Sequence, residues 1–533
     1  MFQSYRHDKR SGITYVYECR SYRVEGVKNP RSKAILIGRL DQATGEIVPT
    51  DGRMQKAKER KDSNDFVAAK PTQCTRQYFG ATYLLDQIGE HLGITDDLKR
   101  CFPSHYKQIL SIVYYMILED KNPLYRFEKW NVTHYHPYGK DIPSQRSSEL
   151  FQNITQGNIE HFLQLQIKHR QDKEYYIYDT TSISSYSEVL KQAQYGHNKE
   201  NDKIPQFNLS LVFGEQSELP FFYRKMAGNI PDVKTLKNLV NELQFLGHKN
   251  LKLISDKGFF SIDNINNMLK ERVKFIISAK TSLKFIKEQI EKVHNGIQQL
   301  QNFNDIYQLH SVTIPVDWPY HSKEQHKNKT VQRNHQIYAH VYFNIMQMAE
   351  KQNKFDRELL DLRAELLTGK LQPNHENLYN KYFTVEKDSS NRVKVTINEE
   401  IVKQEKRFFG YFVILSAEKM DSISALELYR NKDIIEKAFG NLKDRLNLRR
   451  TLVSSESSLD GKLFVGYVAL IILAYIKRQM QKKKLFKTYT ISQLLDKLDL
   501  IECFNYPGRK LQVGEVLEKQ KQIYLDMEVK PPL

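Results

Sequence analysis

Cysteine is scarce in this 533-residue chain: there are four, Cys19, Cys74, Cys101 and Cys503, and none forms a C-x-x-C pair. A disulfide-stapled scaffold is thereby excluded, a zinc ribbon has no support, and a reducing compartment fits. Long apolar runs are scarce too. The longest, Leu463 to Ile476, carries no charge but is shorter than the ~20 residues that cross a bilayer, so it predicts a buried helix and no membrane partner. The opening residues MFQSYRHDKRSG are charged where a signal peptide needs an apolar core, which leads to an expected cytoplasmic location. No internal repeat and no low-complexity segment stands out. What the chain has in excess is positive charge: 81 Lys+Arg against 63 Asp+Glu, a formal net charge of +18. That balance suits a polyanionic partner, and the length predicts two to four packed units.

Changes of texture mark the boundaries. Residues 1–60 show β-type alternation in ITYVYECRSYRVEG and KAILIGRLD, a turn at ATGE and the basic run GRMQKAKERK, which predicts a small β-hairpin and a basic linker. Residues 61–172 turn helical, with apolar residues at three- and four-residue spacing in YLLDQIGEHLG, KQILSIVYYMILED and NIEHFLQLQIKHR. From 173 to 280 come three strand-like runs, EYYIYDTTS, QFNLSLVFG and ELPFFYRKMAGN, bounded by Gly, Pro and Ser. A helix follows, with Pro231 and Asp232 at its start and Gly247 at its end, then the strand LKLISD, a short helix and the strand KFIISAK. Three strands, helix, strand, helix, strand is the ribonuclease-H-like order, an α/β class.

Residues 281–405 interrupt this order with the amphipathic run FNIMQMAEKQNKFDRELLDLRAELL and strand-like pieces such as YFTVEKD and RVKVTIN, an expected β-rich insertion. Residues 406–452 resume with the strand RFFGYFVILS and one long helix starting near Ser424, where Ser424 and Glu427 have the spacing of a capping box. Residues 453–533 form an expected helical, basic C-terminal region. It holds the apolar run, a stretch from Lys477 to Lys487 with six basic and no acidic residues, and a helix in ISQLLDKLDL.

Three carboxylates carry the chemical expectation. Asp179 follows the apolar run YYIY and Asp256 follows LKLIS, so both are expected at strand ends, where a carboxylate emerges at the rim of a sheet. Glu436 shares a helical stripe with Tyr429, Lys432 and Lys443, beside the apolar stripe Ile435, Phe439, Leu442 and Leu446. Three carboxylates at one rim suit hard divalent cations, and two Mg²⁺, with Mn²⁺ able to substitute, would serve an in-line phosphodiester displacement. A single Asp after a strand is more often a turn or cap residue, so the combination carries the signal. The alternative to a phosphate-binding role is a plain i,i+4 partner of Glu436 for Lys432 and a solvated helix face for Lys443. Arg445, Arg449, Arg450 and the Lys477–Lys487 run are expected to track phosphates. In the stretch PVDWPYHSKEQHKNKTVQRNH, Trp318 has the setting of a ring that stacks on an unpaired base, with a packed Trp in a surface loop as the alternative.

YDTTSIS, YGHNKENDKIPQFNLSLVF, GNIPD, ISDKGFFSIDNI and KFIIS follow one another in the order seen in insertion-sequence transposases. The spacing Tyr429, Lys432, Glu436, Lys443 resembles the Y-R-E-K signature of the bacterial insertion-sequence four family. The resemblance implies a DDE triad of Asp179, Asp256 and Glu436, contacts from Tyr429 and Lys443 to the transposon end, and a β-rich domain inserted before the Glu-bearing helix. It also implies a helical DNA-binding module in residues 61–172 and cut-and-paste movement by a homodimer holding terminal inverted repeats and target DNA. One position departs: Lys432 stands where the family has Arg, which keeps the charge but loses the planar fork. A catalytically inactive DNA-binding descendant, and a ribonuclease-H-like nuclease without strand transfer, are the alternative functions.

Overall fold

The computed structural model describes residues 1–22, 30–50, 74–120, 122–169, 174–187, 189–196, 199, 203–248, 250–323, 330–387, 393–451, 453 and 455–532. They divide into two units, Met1–Thr75 with Asn505–Leu511, and Arg76–Phe504 with Gln512–Leu533.

In the first unit, β1 (Phe2–His7), β2 (Thr14–Tyr22), β3 (Arg31–Leu40) and β4 (Ile47–Val48) make an antiparallel sheet in that order. The expected hairpin is thus a four-stranded sheet. Its turn at Thr44–Glu46 holds Gly45 at φ 68°, a left-handed conformation that glycine adopts without a Cβ clash. The basic run at residues 52–61 lies outside the described residues.

The second unit opens with a short strand, β5 (Thr75–Tyr78), and then helices: α1 (Gly80–His91), α2 (Ile94–Cys101), α3 (Tyr106–Leu118), α4 (Phe127–Thr133), α5 (Ser144–Gln152) and α6 (Gln156–Lys168). Their apolar faces close on a helix from the far end of the chain, Glu456–Lys482. That helix is long and apolar enough to cross a membrane by length and composition, yet 89% of its apolar window is buried inside the protein. Phe464 on it meets Phe102 and Phe162 with ring centroids 5.1 and 5.2 Å apart. Close approach to α5 depends on Gly461, where an added Cβ would stand 2.2 Å from the Phe151 carbonyl oxygen. Gly461→Val is expected to lower stability by about 1–3 kcal/mol through this overpacking, read as an earlier denaturant midpoint.

Next come β6 (Tyr176–Ser185), β7 (Gln206–Gly214), β8 (Pro220–Ala227), α7 (Thr235–Phe245), β9 (Lys252–Ser255), α8 (Ile262–Lys270), β10 (Lys274–Ala279) and α9 (Lys284–Val293). With β11 (Phe303–Asn304), β12 (Leu309–Lys323), β13 (Thr330–Phe343), β16 (Tyr411–Ser416) and β17 (Arg450–Thr451) they build a ten-stranded mixed sheet. Its order is β11-β12-β13-β16-β10-β9-β6-β7-β8, and β17 pairs with β6. β6–β7–β8 is the expected antiparallel meander, whereas β9 lies parallel to both β6 and β10. β7 and β10 are buried on both faces, as in a sheet covered on both sides, and β7 carries Gln206, Asn208 and Ser210 on one of them.

Three local features differ from the sequence expectation. Asp179 lies inside β6, since Thr180–Ser185 continue the strand, paired with Gln206–Ser210 of β7. In the stretch expected to be an insertion, residues 303–343 extend the main sheet. A small second core forms only beyond them, where α10 (Ile345–Thr368), α11 (Glu376–Tyr382), β14 (Phe383–Lys387), β15 (Val393–Ile397) and α12 (Glu399–Lys406) enclose Leu359, Leu362, Tyr382 and Val395. The expected single helix from Ser424 is two helices and a π-turn: α13 (Ser422–Arg430), α14 (Asp433–Gly440) and the π-helix Asn441–Arg445. Its N-cap is Asp421, whose carboxylate accepts from the Ile423 and Ser424 N–H groups at 3.0 and 2.9 Å. Between α13 and α14 the backbone tightens to three-residue hydrogen bonds, Lys432 N–H to Tyr429 and Ile435 N–H to Lys432. There the Asn431 side chain turns away to donate to Glu215 at 2.6 Å.

Candidate active site

The parallel pairing of β6 with β9 sets the site. Tyr178 stands opposite Ser255, so the next residue of each strand brings Asp179 and Asp256 alongside one another, at a neighbouring-strand spacing of about 4.8 Å. Asp256 directly follows β9, so its carboxylate leaves the sheet at the carboxyl end of that strand. Helices deliver the remaining groups: α13, against β9 and β10, brings Tyr429, and α14, against β6 and β7, brings Glu436.

The Tyr429 hydroxyl donates to Asp256 at 2.6 Å. The Lys432 ammonium, in the break between the helices, stands 3.8 Å from Asp256 and 3.1 Å from Glu436, and lies over the Tyr429 ring at 5.5 Å. On the other flank Lys199 lies 3.6 Å from Asp179 and 3.2 Å from Asp232. Lys199 also donates to the Thr180 carbonyl and hydroxyl at 2.6 and 2.9 Å, and that hydroxyl donates to Asp232 at 2.5 Å. Two carboxylates thus occupy the rim, each with an ammonium beside it, and Asp232 adds a further carboxylate.

The two rim carboxylates differ in character. Burial pushes the Asp179 carboxyl above the ordinary aspartate range, and the negative charges of Asp232 and Asp256 push the same way, against Lys199 and the Thr180 N–H. At Asp256 burial also works upward, but the Tyr429 hydrogen bond, the Lys257 N–H and the charges of Lys432 and Lys257 outweigh it and hold the carboxyl below its usual value. The Tyr429 hydroxyl is raised by burial and by its bond to Asp256, so it stays a donor.

The residues singled out from the sequence fall in different places. Asp179, Asp256, Glu436, Tyr429 and Lys432 converge. Lys443 does not join their stripe: it is buried in the π-turn. Trp318 is 4% exposed, with its indole N–H on Asn266 at 2.9 Å and its ring edge-on to Phe285, so the ring presents no stacking face. Arg449 is exposed and pairs with Asp444 at 2.7 Å, Arg445 is half-buried, and the Arg450 side chain lies outside the described residues. Lys199, Thr180 and Asp232 were missed. Asp232 had been read only as the start of a helix, and nothing in a single sequence ties it to Lys199.

Carboxylate oxygens are the donors that hard divalent cations select, and the mutual repulsion of Asp179, Asp256 and Asp232 is relieved by positive charge, so the donor set fits such an ion. Among the described residues, no three carboxylate, histidine or cysteine groups stand together at chelating spacing. Glu436 is held by Lys432 instead.

An aspartate within one strand, beside an aspartate that ends a parallel neighbour and faced by a glutamate on a packed helix, is a donor set suited to phosphodiester chemistry. The family model for a transposase DDE domain matches residues 170–472, and the chain belongs to that family. It is a DDE transposase. No curated protein matches the chain. Among solved structures, the cryo-EM structure of a piggyBac transposase synaptic complex with hairpin DNA is similar at 10% identity, covering 79% of this chain and 69% of that one, with a TM-score of 0.32.

Proposed function

We propose that this chain is a cut-and-paste DNA transposase of the insertion-sequence four type, with Asp179, Asp256 and Glu436 as its triad. The observation that carries the reading is the β6–β9 register that brings Asp179 beside Asp256. The spacing of Tyr429, Lys432 and Glu436 around that pair supports the Y-R-E-K assignment, and the meander followed by two parallel strands supports a ribonuclease-H-like core. The protein acts in the bacterial cytoplasm, as a homodimer on terminal inverted repeats and target DNA.

Asp179 and Asp256 would hold divalent ions, two Mg²⁺ or Mn²⁺, with Glu436 joining once its pairing with Lys432 is exchanged. Bound there, such ions polarise phosphate oxygens and ease formation of a nucleophilic oxygen. Tyr429 keeps Asp256 ionised and fixed in direction. Lys432 turns from carboxylates to a phosphate when DNA arrives, as a point charge, without the two-pronged grip of Arg.

The test is nicking of a duplex carrying the element's own ends, with Mg²⁺ or Mn²⁺. Ion-dependent nicks that vanish in Asp179→Asn support the reading. Binding without any nick identifies an inactive DNA-binding descendant. Tyr429→Phe is expected to slow cleavage about 10- to 100-fold, the worth of a hydrogen bond to a charged group, with end affinity unchanged. If affinity falls instead, Tyr429 contacts the DNA.

A further inference from the structure

One turn beyond the triad glutamate the protein carries a second charged feature. The π-turn Asn441–Arg445 and the end of the Glu456–Lys482 helix border a cleft of about 440 Å³. Lys437, Arg445 and Lys477 line it, together with Asp120 and Asp444. Asp444 is already neutralised by Arg449, at 2.7 Å. Asp120 faces the three cationic groups within the cleft, with Asp496 near Arg445 and Glu218 near Lys477. None of the three has a salt-bridge partner among the described residues, and both the Arg445 Nε and the Asp120 Oδ1 are buried without a hydrogen-bond partner. Burial lowers the Lys477 ammonium from its ordinary value and the nearby charge of Lys437 lowers it further, with Glu218 opposing. Burial likewise lowers Arg445, against Asp120 and Asp496.

A cleft that gathers like charges and leaves a guanidinium N–H unpaired is short of an anion. Lys437 and Phe486 are exposed, so the cleft opens to solvent and admits a segment of a polymer as well as a small ion. Lys437 follows Glu436 on α14, so the cleft lies on an adjoining face of the helix that carries the triad glutamate. We infer that Lys437, Arg445 and Lys477 form a phosphate-binding cleft that holds the DNA backbone beside the active site. This rests on the DNA-transposase reading.

The experiment measures affinity of the full chain for a duplex of arbitrary sequence across a salt series, without divalent ions. Each phosphate contact contributes about 0.9 to the slope of log affinity against log salt, so Lys437→Gln with Lys477→Gln should weaken binding and flatten the slope by roughly two. Lys477→Arg, which keeps the charge, should restore the Lys477 share and shows that the loss reflects charge and not folding. If the wild type binds and the double variant keeps affinity and slope, the cleft proposal is overturned alone. A wild type that binds no duplex overturns the transposase reading with it. Inorganic phosphate is titrated in parallel: tight saturation by the free ion with an unaltered duplex slope would make this a small-anion site and overturn the DNA assignment.

Discussion

Replacing Asp256 by Asn should lower single-turnover strand cleavage by ~10³-fold or more, the equivalent of about 4 kcal/mol in the barrier. The substitution keeps the shape of the side chain and an oxygen that can accept from Tyr429, so the local hydrogen bond survives. What it removes is the negative charge that Lys432 faces and that a divalent ion would need. Duplex affinity should not fall, because an anion leaves a surface that approaches phosphates. Asp179→Asn should behave alike, since burial and the repulsion of Asp232 and Asp256 already make it the harder of the pair to ionise. The check is a time course with enzyme in excess over a labelled end duplex, beside a binding titration. Cleavage retained within tenfold in both variants would remove the two aspartates from the chemistry.

Phe464→Ala should cost about 3–5 kcal/mol. Phe464 is fully buried and joins Phe102, just after α2, to Phe162 of α6, so its removal opens a void where the N-terminal helices meet a helix from the far end of the chain. Phe245 is 78% exposed, and its replacement by Ala should stay within about 0.5 kcal/mol. Denaturant unfolding of the two variants against the parent measures the contrast. Equal effects would mean that the Glu456–Lys482 helix is not part of this core.

Much of this arrangement is legible in the residues themselves. The apolar run before Asp256 ends where β9 ends, and the run from Leu463 to Ile476 is buried as its composition predicts. The place of Asp179 was less legible, because Thr180–Ser185 are all Thr or Ser apart from Ile183, the composition of a loop, although they are covered and Thr180–Ser184 pair with β7. Trp318 was misleading for a related reason. Its neighbours Pro319, His321 and Lys323 suggest a wet loop, yet the period of two pairs Trp318 with Val316 on the inner face, 4% and 5% exposed. Lys443 fell off its stripe because the π-turn adds a residue and rotates everything after Gly440. Lys199 and Asp232 were beyond reach: only the fold brings Lys199 to 3.6 Å from Asp179 and 3.2 Å from Asp232, which spacing does not encode.

In the proposed transposase, Asp179 of β6, Asp256 just after β9 and Glu436 of α14 act as a single centre that both cuts and joins DNA. The most direct test incubates end duplex, target DNA and a divalent ion with the wild type and with Glu436→Gln, and scores covalent end–target products on a denaturing gel. Joined product with the wild type alone, and end binding retained by the variant, is the expected result; joined product undiminished in Glu436→Gln would contradict it.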